Sequence, residues 1–311
     1  MFRGKKVAVI IPSYRVKNKI LSVLEDIPEY VDQIFVVDDK CPEKTGEFVA
    51  SKNIDRVSVL FHDENQGVGG AVISGFKRAL ELQCDYFVKV DGDGQMDPKA
   101  IEQFLERLDL GSDYVKANRF QDFVALRKMP KIRLFGNSVL SFWVKAASGY
   151  WNVMDPTNGY VAVNKKTLSR LQLDKISKDY FFEIDMLINL NIVGACVEDI
   201  PLSAKYEDEQ SSLSITKTLR SFPQKIMKGL LKRVFLKYYI YDFNMLSLYL
   251  LFGLPLFFFG ILWGGVHWID SIVTKTPKPT GTVMIAVLCV VMGFQLLLQA
   301  INIDIFSGRK K

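Results

Sequence analysis

Two stretches near the C-terminus, Phe243 to Ile269 and Pro279 to Ile303, run for 27 and 25 residues without Asp, Glu, Lys or Arg. Each exceeds the ~20 residues that an α-helix needs to cross a ~30 Å hydrocarbon core. The alternative is a pair of buried core helices, but such helices seldom run so long without a polar face. Tyr249, Trp263 and Trp268 stand near the ends of the first run, where interfacial aromatic anchors are expected. A two-span hairpin is therefore predicted, over about 245–267 and 281–303, within a C-terminal region 243–311.

Basic residues orient that hairpin. Lys217, Arg220, Lys225, Lys228, Lys232, Arg233 and Lys237 precede it with no acid among them, and Arg309, Lys310 and Lys311 follow it. The connecting loop holds only Lys275 and Lys278. The positive-inside rule then places both termini and the N-terminal region in the cytoplasm, at a multi-pass site in the inner (plasma) membrane. A basic helix at 213–242 next to a membrane span is expected to meet anionic lipid headgroups and not nucleic acid.

The four cysteines are dispersed, without a CxxC pair, so neither a disulfide framework nor a zinc site is indicated. With His62 and His267 as the only histidines, a histidine-centred triad is not expected.

Residues 1–212 read as an α/β domain. Val7–Ile11, Ile34–Val37, Val57–Leu60 and Tyr86–Val90 are short apolar runs suited to strands buried on both faces. Helical patterns over about 19–27 and 68–83 separate them, which implies a mostly parallel, Rossmann-like sheet. Such sheets bind ligands at the C-terminal ends of their strands. The polar and glycine-rich clusters all fall there.

After the fourth strand comes Asp91-Gly92-Asp93-Gly94-Gln95. Paired carboxylates at a strand end suit Mg²⁺ or Mn²⁺, which share their coordination sphere with substrate phosphates. A calcium EF-hand loop fails on context, because Met96 stands at the turn-glycine position and a strand precedes it. Gly67, Gly69 and Gly70 open a helix and can cradle a diphosphate. Asp38 and Asp39 suit a ribose or base, or a solvated turn before Pro42. Arg119 and Arg133 are suited to gripping phosphate oxygens, or to surface ion pairs.

With Ile11-Pro12-Ser13-Tyr14, Val37-Asp38-Asp39, Asn65 to Ala71, Asp91 to Gln95, Asn118-Arg119, Asp155-Pro156-Thr157-Asn158-Gly159-Tyr160 and Phe182 to Met186 in order, the chain resembles the GT-A glycosyltransferases of family two. It is most similar there to the polyprenyl-phosphate sugar synthases related to dolichol-phosphate mannose synthase, in their bacterial form with a membrane hairpin. The resemblance implies a GT-A fold with Pro12, Tyr14 and Asp39 in the nucleotide pocket, and Asp38, Gly67, Gly69, Gly70 and Asp91 beside them. It implies a metal on Asp91, Asp93 and Gln95, and an acceptor phosphate on Arg119, Arg133 and Asn137. Asp155, Thr157, Asn158, Glu183 and Lys205 are expected on the acceptor side. The segment Lys205 to Ser212 departs from the family pattern, being acidic where relatives are basic.

The expected activity is inverting transfer of a sugar from a nucleotide sugar, UDP favoured over GDP, to polyprenyl phosphate, by a homo-oligomer. Asp93, Arg119, Arg133 and Asp185 are the expected catalytic set. The alternative is a membrane-anchored family member with a sugar-hydroxyl acceptor, which requires a general base from among Asp155, Glu183 and Asp185. A catalytically degenerate scaffold is the third reading.

Overall fold

The computed structural model describes residues 1–119, 131–202 and 215–307, with the side chains of 131–138 and 215–221 left undescribed. Lys205, the acidic segment after it and the Arg309-Lys310-Lys311 tail lie outside the described residues, as do the side chains of Arg133, Asn137, Lys217 and Arg220. Two compact units are present, Met1–Arg233 and Val234–Lys310.

The first unit is built on a seven-stranded sheet: β1 (Val7–Ser13), β2 (Gln33–Asp38), β3 (Val57–Phe61), β4 (Tyr86–Lys89), β5 (Tyr114–Asn118), β6 (Val161–Asn164) and β7 (Val197–Pro201). Their order is β3-β2-β1-β4-β6-β5-β7. All neighbours pair in parallel except β6, which runs antiparallel to both β4 and β5. The expected strands are present. The direction of β6 follows from its pairing partners and not from its own residues, so a strand pattern does not carry it.

Alternating side chains of the central strands feed two cores, as period-2 geometry requires. Ala8, Ile10, Phe35, Val37 and Phe87 face one side, against α3 (Val68–Glu81) and α7 (Phe182–Ile192). Val7, Val9, Ile34, Val36 and Val88 face the other, against α1 (Ile20–Asp26) and α4 (Ile101–Asp109). The short helix α2 (Thr45–Ala50) lies in the β2–β3 crossover, and α6 (Lys165–Leu168) follows β6. A third cluster joins α5 (Lys131–Ser148), α7 and α8 (Ile215–Phe235) through Val144, Ile184, Ile188 and Ile226.

The basic helix α8 does not present all its charges to the outside. Arg233 is buried, donating from Nε to the Ala147 carbonyl at 2.8 Å and from Nη2 to Ala146 at 3.0 Å. It thereby caps the C-terminal end of α5, where carbonyls lack helical partners and a cation is favoured. Lys225 pairs with Asp179, and Lys232 donates to Asn189 Oδ1 at 2.9 Å.

The second unit contains α9 (Met245–Thr274) and α10 (Thr280–Ser307), of 30 and 28 residues, whose apolar 18-residue windows have mean hydropathy 2.2 and 2.4. Asn244 and Ser247 form a reciprocal capping box that starts α9. Only 22% and 6% of the two apolar windows are buried, whereas a core helix would hide these side chains. Both helices are long and apolar enough to cross a membrane. Small residues let them approach closely: a Cβ on Gly260 would lie 2.7 Å from Val290 N.

Candidate active site

The C-terminal ends of β1, β2, β4 and β5 gather the polar clusters, and the antiparallel direction of β6 brings its leading turn, 155–160, to the same edge. Pro12 and Ser13 end β1, with Tyr14 exposed beyond them. Asp38 and Asp39 are both buried. Asp38 accepts from Cys41 N at 2.7 Å and Gly46 N at 2.6 Å, so both its oxygens brace the turn into α2.

Asp39 organises the glycine loop. It accepts from Gln66 N at 2.8 Å and Gly67 N at 2.7 Å, while His62 Nδ1 lies 2.7 Å from its Oδ1. Gly67 has φ +85°, and a Cβ there would meet the Lys178 carbonyl at 2.7 Å. A Cβ on Gly69 would meet the Ser177 carbonyl at 2.6 Å, and Gly70 N donates to Lys178 O at 3.1 Å. These glycines thus admit the 177–182 segment against the start of α3. Asp185 holds that segment from behind, accepting from Ser177 N at 2.8 Å and Asn189 Nδ2 at 3.0 Å.

Asp91 and Asp93 follow β4 as half-buried carboxylates, and Gln95 N donates to Asp93 Oδ1 at 3.0 Å in a tight turn with Gly94 at φ +77°. Among the described residues no group of three or more His, Cys, Asp or Glu side chains gathers around one point. Two hard carboxylates at an accessible strand end nevertheless fit a divalent ion that completes its sphere with substrate phosphates.

On the turn leading into β6, Asp155 is fully buried and accepts from Arg119 Nε at 2.7 Å and Nη2 at 3.2 Å. Thr157 Oγ1 and Asn158 Nδ2 donate to the same carboxylate, each at 3.3 Å. Burial pushes its pKa up, but Arg119 outweighs this and holds it below the usual carboxylate range. Asp155 therefore fixes the orientation of Arg119 at the end of β5 and is a weak base.

Two side chains escaped notice in the sequence, Lys89 and Lys116. Both are buried, and both face Val161 across the ladder, one from each side of β6. Lys89 donates to the Gly159 carbonyl at 3.1 Å, and Lys116 donates to that of Asn158. Lys89 Nζ lies 2.7 Å from Asp91 Oδ1, an ion pair outside hydrogen-bond alignment, and 3.6 Å from Glu183 Oε1. Burial pulls the Lys89 pKa down, yet Asp91 and Glu183 leave it raised. Lys116 has no such contact, and burial lowers it to about 8. Burial also raises Glu183 despite both lysines. The available signal was a lysine interrupting each of two apolar runs, Tyr86 to Val90 and Tyr114 to Ala117, since a lysine is almost never fully buried without partners.

Asp199, on β7, is a third side chain that the sequence did not single out. Its Oδ2 accepts from Met154 N at 2.6 Å while its buried Oδ1 lacks a partner, and burial lifts its pKa to about 6. A folded-state pKa above the unfolded value near 4 means that its favourable contribution is complete below that value and lost as pH rises through 6. Asp199→Asn imitates the protonated acid. Thermal unfolding should show it roughly 1–3 kcal/mol more stable than the parent at pH 8, with the difference vanishing near pH 4.

The sheet order, with one antiparallel strand, and the carboxylate pair at the end of β4 define an α/β nucleotide-sugar-binding fold of the GT-A type. Residues 8–172 match the model of glycosyl transferase family 2. The chain belongs to that family and is a glycosyltransferase. An undecaprenyl-phosphate mannosyltransferase of Micrococcus luteus is 31% identical over 208 residues, spanning 64% of this chain and 83% of that protein. A UDP-N-acetylglucosamine–dolichyl-phosphate N-acetylglucosaminyltransferase of Methanococcus voltae is 28% identical over 220 residues, spanning 66% and 87%. The fold is shared with glucosyl-3-phosphoglycerate synthase from Mycobacterium tuberculosis, solved with Mn²⁺, UDP and glucosyl-3-phosphoglycerate, at a TM-score of 0.53, 17% identity and coverage of 74% and 80%.

Proposed function

We propose that this glycosyltransferase moves a sugar from a nucleoside-diphosphate sugar, UDP favoured, to polyprenyl phosphate, giving a polyprenyl-phosphate sugar. The observation that carries the reading is the similarity to two enzymes named for transfer to undecaprenyl and dolichyl phosphate, over more than four fifths of each. UDP is supported by the name of the second relative and by the UDP and Mn²⁺ held by the structural neighbour.

The site chemistry agrees with a phosphate acceptor. A sugar hydroxyl must lose its proton during attack. Two of the three carboxylates considered as its base are engaged by hydrogen bonds, Asp155 by Arg119 and Asp185 by Ser177 and Asn189, while Glu183 lies 3.6 Å from Lys89. A phosphate monoester, with its second pKa near ~6, is already largely dianionic at neutral pH and needs no base. One of its oxygens attacks the anomeric carbon. The bond to the diphosphate breaks with its electron pair on the leaving oxygen, and a single displacement inverts the configuration. Asp91 and Asp93, with Gln95, would hold the divalent ion, whose role when bound is to neutralise charge on the diphosphate. Arg119, fixed by Asp155, and Arg133 and Asn137 on α5 are assigned to the acceptor phosphate.

The basic residues flanking the hairpin support a cytoplasmic catalytic unit with both termini on that side. A homo-oligomer packed through the hairpin and contact with anionic lipid belong to the same reading. The decisive assay incubates purified full-length protein with Mn²⁺, labelled UDP- or GDP-sugars and, in parallel, undecaprenyl or dolichyl phosphate or a saccharide acceptor, then separates lipid from saccharide. Label in an acid-labile lipid fraction is expected. Label found only on a saccharide acceptor would instead establish the hydroxyl-acceptor activity.

A further inference from the structure

The ladder register places Lys89 of β4 and Lys116 of β5 opposite the same residue, Val161, on the two flanks of β6. Facing residues on adjacent strands project to one side of a sheet, so both ammonium groups sit beneath the turn that leads into β6. They take successive carbonyls of it, Gly159 and Asn158. Only Lys89 also reaches Asp91, at 2.7 Å. The space around it is closed: a Cβ on Gly159 would lie 2.4 Å from Lys89 Nζ, 3.0 Å from Asp91 Oδ2 and 3.5 Å from Glu183 Oε1.

We infer that Lys89 is a positioning residue that fixes the Asp91 carboxylate against the Gly159 turn, so that the donor-side ligand and the acceptor-side turn are held by one buried cation. Lys116 braces the same turn without touching the donor side. The inference rests on the proposed nucleotide-sugar site. Its chemical basis is that a carboxylate anchored on one oxygen presents the other in a set direction, and outer partners that orient metal ligands typically contribute 10–100-fold in affinity. Lys89 is not itself a ligand or a proton carrier.

The test is calorimetric titration of Mn²⁺ with UDP, and in parallel with GDP, into full-length protein, Lys89→Gln and Lys116→Gln. A loss of about tenfold or more in metal–nucleotide affinity is expected for Lys89→Gln, against about twofold or less for Lys116→Gln. Gly159→Ala, which displaces the ammonium without removing its charge, is expected to reproduce the Lys89→Gln loss and serves if that variant does not fold. Equal losses in the two lysine variants would reduce Lys89 to a structural brace, and an unchanged affinity in both Lys89→Gln and Gly159→Ala would overturn the inference. Failure of the parent protein to bind either nucleotide with Mn²⁺ would instead remove the nucleotide-site reading on which the inference rests, and the inference with it.

Discussion

Asp93→Ala is expected to lower transfer by at least ~10³-fold while leaving the protein folded and inserted in the membrane. The estimate follows from the several kcal/mol that a bound divalent ion contributes to stabilising developing charge, at about 1.36 kcal/mol per factor of ten. Asp93 is half-buried, on a tight turn outside the two apolar clusters that form the sheet's cores. Removing its carboxylate should therefore cost the metal-free protein about 1 kcal/mol or less. Rate measurement in detergent, with thermal unfolding recorded on the same preparations, separates the two effects. Near-parental transfer by a well-folded Asp93→Ala protein would falsify the metal assignment.

Arg119→Met should damage both stability and transfer, with a pH signature that identifies the cause. Removing one partner of a fully buried pair costs about 3–5 kcal/mol. Arg119 is 34% exposed while Asp155 is fully buried, so roughly 2–4 kcal/mol is the discounted expectation. In the parent, Asp155 titrates below its ordinary range, so its contribution is present above pH ~4 and lost as pH falls through the depressed value. Without Arg119 the burial effect is left dominant, and the sign reverses: the variant should regain stability as pH falls toward 4. The penalty is then largest at pH 7 to 8 and shrinks on acidification. Adding Asp155→Asn should restore most of the stability and none of the transfer, because the cation assigned to the acceptor phosphate is still missing. Recovery of transfer in the double variant would show that Arg119 acts only by neutralising Asp155.

How much of this was legible beforehand depends on the range of the interactions involved. The apolar runs at β1, β2, β3 and β4 announced strands buried on both faces, and the two uncharged C-terminal runs announced the hairpin helices. Local composition and period suffice for both. The carboxylate pair at Asp91 and Asp93 was legible because a strand end followed by glycines is a local pattern. The packing of Gly67, Gly69 and Gly70 was not, since it depends on carbonyls of Ser177 and Lys178, more than a hundred residues away. The same holds for Arg233, which sequence position groups with the basic residues before the two apolar helices and packing turns inward to close the end of α5.

The sequence by itself determined the class of fold, the place of the Asp91 and Asp93 carboxylates, the two long apolar helices and the family, because each rests on contiguous residues whose chemistry is readable in isolation. Only the tertiary structure decided which way β6 runs, and through that, which charges meet. Its antiparallel course carries Asp155 to Tyr160 to the edge where β4 ends, setting Asp155 against Arg119 and placing Lys89 between Asp91 and Gly159. A buried lysine is paired or costly according to what the fold sets within about 4 Å of it, and that distance is not a property of its neighbours in the chain.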